Sequence, residues 1–371
     1  MNPFVTTGYC GPKYFCDRVK ETEDLKKLLL NNNNVALISP RRYGKTDLVK
    51  HTLGQKEFKG NYTFILDIYS TKSLQDMVCL MGKKIVDQLK PYGRKAIDTF
   101  IAYLKSIKGG FSIDATGVPS WTVQAGEIHS PQTTLDEIFH YLQNAGRRCI
   151  VILDEFQQIC KYPEKGTEAA IRSLVQSCTN ANFVFCGSQM HLMGEMFTSE
   201  SRPFYQSVTL FNLGLIPEEK YAEFATRKFS EAGKKLDPEV CAELYERFRG
   251  ITFYLQKVMN ILFMETPEKG TCSIDMLDKA IEYLVQISAP TYETLLYQLP
   301  EMQEKILKAV AMEGPCSGIT SSEFVSKYAL KSASSVKSAV RGLMEKGLVN
   351  QFLGKYEIYD LILGEYIRSS R

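Results

Sequence analysis

Short apolar runs alternate with helical stretches through the first part of the chain. Residues 35–38, 62–68, 149–153, 183–186 and 208–211 are nearly continuously apolar and rich in Val, Ile and Phe. That is the pattern of strands covered on both faces. Their alternation with helices predicts an α/β fold built on a parallel sheet. Roughly eighty residues separate the second and third runs, more than one crossover helix needs. Residues 72–146 therefore read as an insertion, with helices at 73–89 and 95–106. A hairpin follows at 111–124, with Gly117 and Pro119 between alternating residues and the single tryptophan, Trp121.

From Pro217 onward the pattern becomes helical. Pro217-Glu218-Glu219 opens one helix, with proline in the first turn and acids near the positive end of the dipole. Asp237-Pro238-Glu239 opens a second. Gly250 precedes a third with apolar Leu255, Val258, Ile261 and Leu262, and Ser273-Ile274-Asp275 starts a fourth. Further on, 303–312, 321–328 and 332–346 read as three helices, the last with cap candidates Ser332, Ser334 and Ser335 and a terminating Gly347. Two strand-like runs, 348–353 and 356–359, flank a Gly354-Lys355 turn. The expected organisation is an α/β core over 1–215, a helical lid over 216–290 and a winged helix-turn-helix over 291–371.

At 371 residues the chain has room for two or three domains, since one core serves about 100–200 residues. Hydrophobic residues make up 44% and charged residues 23%, a globular balance that excludes disordered and collagen-like chains. No apolar run approaches the about 20 residues of a membrane span, so no membrane partner is expected. Met1-Asn2-Pro3-Phe4-Val5 lacks a basic and then apolar start, which predicts no secretory signal. The ten cysteines run from Cys10 to Cys316 without a Cys-x-x-Cys pair, and the four histidines are scattered, so no zinc spacing assembles. Free thiols in a reducing, cytoplasmic setting are the expectation. The net charge of +3 does not by itself point to nucleic acid.

The chemistry concentrates in three places. The first is Asn34-Val-Ala-Leu-Ile-Ser39-Pro40-Arg41-Arg42-Tyr43-Gly44-Lys45-Thr46-Asp47, a strand, a loop and the start of a helix. This is the context of a Walker A phosphate loop. Backbone N–H groups of the loop after Pro40 and of the helix N-terminus through Asp47 would cradle a β-phosphate, Lys45 would reach between the β- and γ-phosphates, and the Thr46 hydroxyl would bind Mg²⁺. Ser39 stands where the pattern has glycine. Pro40 holds it extended, which serine tolerates.

The second place is the run 149–153 ending in Asp154-Glu155, the arrangement of a Walker B strand. Asp154 is the candidate to hold Mg²⁺ through water and Glu155 the candidate to polarise attacking water. Two adjacent acids point to additional-strand ATPases rather than GTPases. The third is Gly187-Ser188-Gln189 at the end of a further apolar run, where Ser188 or Gln189 would sense a γ-phosphate. A plain strand-end turn is the alternative reading there.

Phe15-Cys16-Asp17-Arg18 with Glu21, Ser39-Pro-Arg-Arg-Tyr-Gly-Lys-Thr46, Ile152-Leu-Asp-Glu-Phe156 and Phe185-Cys-Gly-Ser188 together resemble the archaeal-type ATPase family. That family has many bacterial members and is placed in the STAND branch of the AAA+-like ATPases. The resemblance covers about 15–290 and extends through the winged-helix end. It implies a P-loop NTPase sheet of order 5-1-4-3-2, a helical lid and a C-terminal winged helix, with ATP or ADP and Mg²⁺ as ligands. It also implies that a basic or aromatic residue before the first strand lies near the adenine. Tyr14, Phe15 and Arg18 are the candidates; a core-packed Phe15 and a surface Arg18 are the alternative. Two departures bear on regulated hydrolysis. The family's Pro-Leu-Tyr-Gly-Arg is here Pro203-Phe-Tyr-Gln-Ser207, with Arg202 just before it. The lid's Gly-x-Pro is here Gly250-Ile251-Thr252.

In the winged helix, 331–346 carries Lys331, Lys337, Arg341 and Lys346 against Glu345, with Lys355 at the wing tip. That suits a DNA backbone. Residues 301–371 nevertheless hold ten basic and eight acidic residues, a weak excess for a dedicated DNA binder. A DNA partner and a protein-docking role both stand. The functional expectation is a slow Mg²⁺-dependent ATPase used as a nucleotide-driven switch. No arginine finger stands out, so a partner would supply one. The second reading is a nucleotide-gated DNA- or protein-binding regulator with negligible hydrolysis.

Overall fold

Five strands, β1 (Val35–Ile38), β2 (Tyr62–Asp67), β3 (Cys149–Asp154), β4 (Ala181–Gly187) and β5 (Thr209–Asn212), form one parallel sheet in the order β2-β3-β4-β1-β5. Read from the other edge this is the expected 5-1-4-3-2. The computed structural model describes residues 1–107, 110–113, 119–352 and 354–370. It divides into two units, Thr7–Ile216 and Met1–Thr6 with Pro217–Arg371.

In the first unit β1 and β4 are buried throughout, and β3 is buried up to Asp154. Alternate residues serve opposite faces, as a period of two requires. Val35, Leu37, Ile150, Ile152 and Val184 pack with α1 (Val19–Leu30) and α2 (Lys45–Leu53). Ala36, Ile38, Val151, Leu153, Phe183 and Phe185 pack with α3 (Leu74–Leu89), α4 (Arg94–Tyr103) and α5 (Pro131–Asn144). The edge strands depart from the expectation of two covered faces. At the two edges of the sheet, β5 alternates half-buried and exposed residues and β2 ends in exposed Asp67. Helices α6 (Thr167–Ser177) and α7 (Met190–Thr198) follow β3 and β4.

The insertion contains the expected hairpin, with Phe111–Ile113 paired antiparallel to Pro119–Trp121. Its turn, Gly117 included, lies outside the described residues. Trp121 packs against α3 at Gly82, where a Cβ would come within 2.1 Å of the indole ring.

The second unit holds α8 (Glu218–Glu231), α9 (Pro238–Arg247), α10 (Thr252–Glu265) and α11 (Ile274–Tyr297). Met1–Thr6, counted with the core in the sequence reading, packs here instead. Phe4 is fully buried against Phe224, Phe229 and Phe263, and Asn2 and Asn260 exchange hydrogen bonds of 2.7 Å with each other's surroundings, at Asn260 O and Phe4 O. α11 runs straight through Pro290, past the expected boundary at 290–291.

The remaining helices are α12 (Glu301–Glu313), α13 (Ser322–Lys327), α14 (Ala333–Glu345) and α15 (Leu361–Ser369). Ser321 and Ser332 cap α13 and α14 through their hydroxyls. The wing strands Val349–Phe352 and Lys355–Ile358 pair antiparallel, and Leu353, the end of the expected first wing strand, lies outside the described residues. Helix α15, absent from the sequence reading, packs on α11 and α12. Among the described residues no helix is long and apolar enough to cross a membrane.

Candidate active site

The phosphate loop begins where β1 ends. Ser39 is fully buried, and its N–H donates to Gly187 O at 3.3 Å, so β1 and β4 stay in register for one residue beyond the strand. Arg42 (φ 71°) and Gly44 (φ 88°) then take left-handed conformations that swing the chain into α2. The non-glycine case costs about 1 kcal/mol. Pro40, Arg41, Arg42, Tyr43 and Gly44 are all half-buried, as are Thr46 and Asp47 in the first turn of α2.

Lys45 is only 7% exposed, and its ammonium donates to Ser39 O at 2.8 Å and Pro40 O at 3.2 Å. Burial pulls its pKa below the ordinary lysine value, against the opposing pull of Glu155 and Asp154. Burial likewise pushes the Asp47 and Asp154 carboxyls up, the second opposed by a hydrogen bond from Thr46. In that bond Thr46 Oγ1 donates to Asp154 Oδ2 at 2.8 Å. A hydroxyl and a carboxylate side by side are two hard oxygen donors, a set that fits Mg²⁺.

Glu155 follows at φ 55°, its N–H on Asp154 Oδ1 at 3.0 Å. That left-handed turn aims its carboxylate toward the end of β4. Oε2 accepts from Ser188 Oγ at 2.6 Å and from Gln157 Nε2 at 2.6 Å. Arg41 closes the group: its Nε donates to Ser188 Oγ at 3.2 Å and lies 3.9 Å from Glu155 Oε1. Loop, β3 and β4 therefore bring Arg41, Lys45, Thr46, Asp154, Glu155 and Ser188 together. Of the two residues considered for the sensor position, Ser188 is the one in this network.

Gln157 was missed by the sequence reading. Its only signal is an amide two residues beyond the paired acids. Gly187 makes room for it, since a Cβ there would meet Gln157 Oε1 at 2.6 Å and Met193 Sδ at 2.3 Å.

Arg18 is not a surface residue. It is 3% exposed, and its guanidinium donates to Glu21 Oε1 (2.7 Å), Gly214 O (2.7 Å), Tyr43 O (3.3 Å) and Leu215 O (3.5 Å). It clamps the phosphate loop to the segment after β5. Phe15 stacks on His51 of α2, with ring centroids 4.1 Å apart, and Tyr9 reaches the same histidine at 2.9 Å. Arg202 is committed to Glu168 (2.6 Å) and Glu195 (3.3 Å).

A sequence profile for an ATPase domain found predominantly in Archaea matches residues 15–258, and one for a probable winged helix domain matches 290–369. The chain belongs to this ATPase family. The ATPase is similar in fold to a Walker-type ATPase of Pyrococcus abyssi, with TM-score 0.65 and 17% identity over 99% of both chains. It is also similar to the ORC2 protein of Aeropyrum pernix in ADPNP–ADP complexes, with TM-score 0.59 and 14% identity over 100% of this chain and 98% of that one. The ORC1 protein of the same organism in complex with DNA gives TM-score 0.53 and 15% identity over 97% and 94%. No curated protein matches the sequence. The strand order, the phosphate loop and the family make this a P-loop ATPase.

Proposed function

We propose that the ATPase binds ATP or ADP with Mg²⁺ on the loop from Pro40 to Asp47 and hydrolyses ATP slowly, as a nucleotide-driven switch. The 2.8 Å bond between Thr46 and Asp154 carries this reading, because it sets both candidate metal ligands beside the Lys45 loop. Mg²⁺, held by Thr46 and through water by Asp154, would neutralise charge on the phosphate oxygens.

Lys45 leaves its two loop carbonyls for the β- and γ-phosphates. Glu155 orients a water, whose oxygen bonds to the γ-phosphorus as the bond from phosphorus to the β,γ-bridging oxygen breaks. The electron pair leaves with ADP, and the water proton passes to a Glu155 oxygen and on to solvent. Ser188 holds Glu155 and faces the γ-phosphate. Slow turnover follows from the resting arrangement, in which Glu155 Oε2 already accepts from Ser188 and Gln157. Arg18 acts on the nucleotide at one remove, through the Tyr43 carbonyl.

The three-part division into core, helical lid and winged helix belongs to this proposal, with the winged helix as output. The outer face of α14 exposes Ser334, Lys337, Ser338 and Arg341, with Lys331 just before it. A DNA backbone fits that face, and the ORC1 fold neighbour solved with DNA supports the reading. Ten free cysteines suit a cytoplasmic protein.

The test is single-turnover hydrolysis of γ-labelled ATP. Wild type releases phosphate, Glu155→Gln binds ATP and retains it, and Lys45→Ala binds ATP only weakly. Nucleotide held by wild type with no phosphate release over hours would favour the gated regulator without hydrolysis.

A further inference from the structure

Four arginines, Arg18, Arg41, Arg42 and Arg202, lie around the phosphate loop and the end of β4. Arg18 is buried, with its donors on Glu21 and three carbonyls. Arg202 is paired with Glu168 and Glu195. Arg41 differs in place and in partners. It is the third residue of the loop that starts at Ser39, ahead of the turn at Gly44. Its side chain is 39% exposed and touches the two residues that close the β3 and β4 ends, Glu155 and Ser188. Its guanidinium also sits 5.1 Å over the ring of Tyr69, beyond the end of β2.

We propose that Arg41 is the ATPase's own arginine finger, contacting the γ-phosphate from within the loop, so that no partner has to supply one. This rests on the ATPase reading above and assigns a group within it. Lys45 enters from the base of the loop. Arg41 enters from the side where Glu155 and Ser188 meet, which is where the water and the γ-phosphate must lie if Glu155 orients that water.

At rest the guanidinium is 3.9 Å from Glu155, and the side chain is partly solvated. A γ-phosphate carries more charge than one carboxylate and takes two parallel N–H donors. Arg41 therefore transfers to it. Glu155 loses its positive neighbour as a result, while Ser188 keeps its own donor on Glu155. As the bond from water to γ-phosphorus forms and the bond to the bridging oxygen breaks, Arg41 neutralises the equatorial oxygens. ADP offers no group at that position, so Arg41 distinguishes ATP from ADP as well as speeding cleavage.

The experiment is calorimetric titration of the full chain with ATP and with ADP, both with Mg²⁺, for wild type, Arg41→Ala and Arg41→Lys. Single-turnover cleavage is measured on the same samples, and thermal melting confirms folding of the variants. Arg41→Ala is expected to weaken ATP binding about 10-fold while ADP binding stays within about 2-fold. Its cleavage rate should fall by about 10³-fold or more, the scale of an arginine finger. Arg41→Lys should recover ATP preference in part and little of the rate, since an ammonium lacks the planar fork. Equal losses for ATP and ADP would mean that Arg41 only shapes the loop, and wild-type values for Arg41→Ala would mean that it does nothing there. Either overturns the proposal alone. A wild type that binds neither nucleotide overturns the ATPase-site reading and this proposal with it.

Discussion

Thr46 and Asp154 stand 108 positions apart in the sequence and are joined by a hydrogen bond of 2.8 Å, from the threonine hydroxyl to the carboxylate. The bond links the first turn of α2 to the end of β3, and the parallel order of β1, β4 and β3 makes it possible. Removing the donor leaves a half-buried carboxylate short of a partner. Thr46→Ala should therefore cost about 1–3 kcal/mol of stability without nucleotide, and Thr46→Ser should restore most of it. Urea unfolding of the three proteins measures this. A Thr46→Ala midpoint equal to wild type would mean the bond contributes nothing.

Asp154 gives a pH dependence with a definite sign. Burial raises its pKa in the folded state above the ordinary aspartate value, so over the interval between the two values the native state binds more protons than the unfolded state. Stability contributed by this group thus falls as pH rises through that interval and stays lower above it. Asp154→Asn keeps an acceptor for Thr46 and removes the charge. Without Mg²⁺ the variant should melt above wild type at neutral pH, with the gap closing as the solution is made acidic, while its nucleotide binding loses Mg²⁺ dependence. A variant less stable than wild type at neutral pH contradicts the assignment.

Gln157 and Ser188 both donate to Glu155 Oε2 at 2.6 Å. If they hold the carboxylate in a resting position, Gln157→Met should release it. Loss of one hydrogen bond of about 1 kcal/mol corresponds to a single-turnover rate about 5-fold higher. A slower rate in the variant would show that Gln157 positions Glu155 for catalysis instead.

Arg18→Met removes four donor contacts from a buried site and unpairs Glu21. The expected cost is about 2–4 kcal/mol, accompanied by weaker nucleotide binding because Tyr43 loses its tether. Arg18→Lys should recover only part of both. Chemical denaturation and nucleotide titration of both variants provide the check. A fully stable Arg18→Met with weakened adenine binding would mean that Arg18 serves the base directly.

The sheet and the phosphate loop were legible because their signals are local. Continuously apolar runs mark β1, β3 and β4, and the loop residues lie within one short segment. Contacts between distant or aperiodic segments were not legible. Phe4 lies in six residues without periodicity, and nothing in that pattern says it will enter a cluster of rings with Phe224, Phe229 and Phe263. The lid reads as ending at residue 290, yet α11 continues past it to Tyr297. Arg18 finds acceptors 25, 196 and 197 positions away, in carbonyls that carry no side-chain signature. Gln157 becomes visible only once Gly187 is seen to leave it room.

The central claim is that the loop around Lys45 and the end of β3 form one nucleotide site. Isothermal titration of ATP with Mg²⁺ into wild type and Lys45→Ala tests it most directly. The account predicts saturable one-to-one binding that requires Mg²⁺ in wild type, and affinity about 100-fold lower in Lys45→Ala, as expected for loss of a charge-assisted contact. Equal binding by the two proteins, or no heat from wild type with either ATP or ADP, would contradict it.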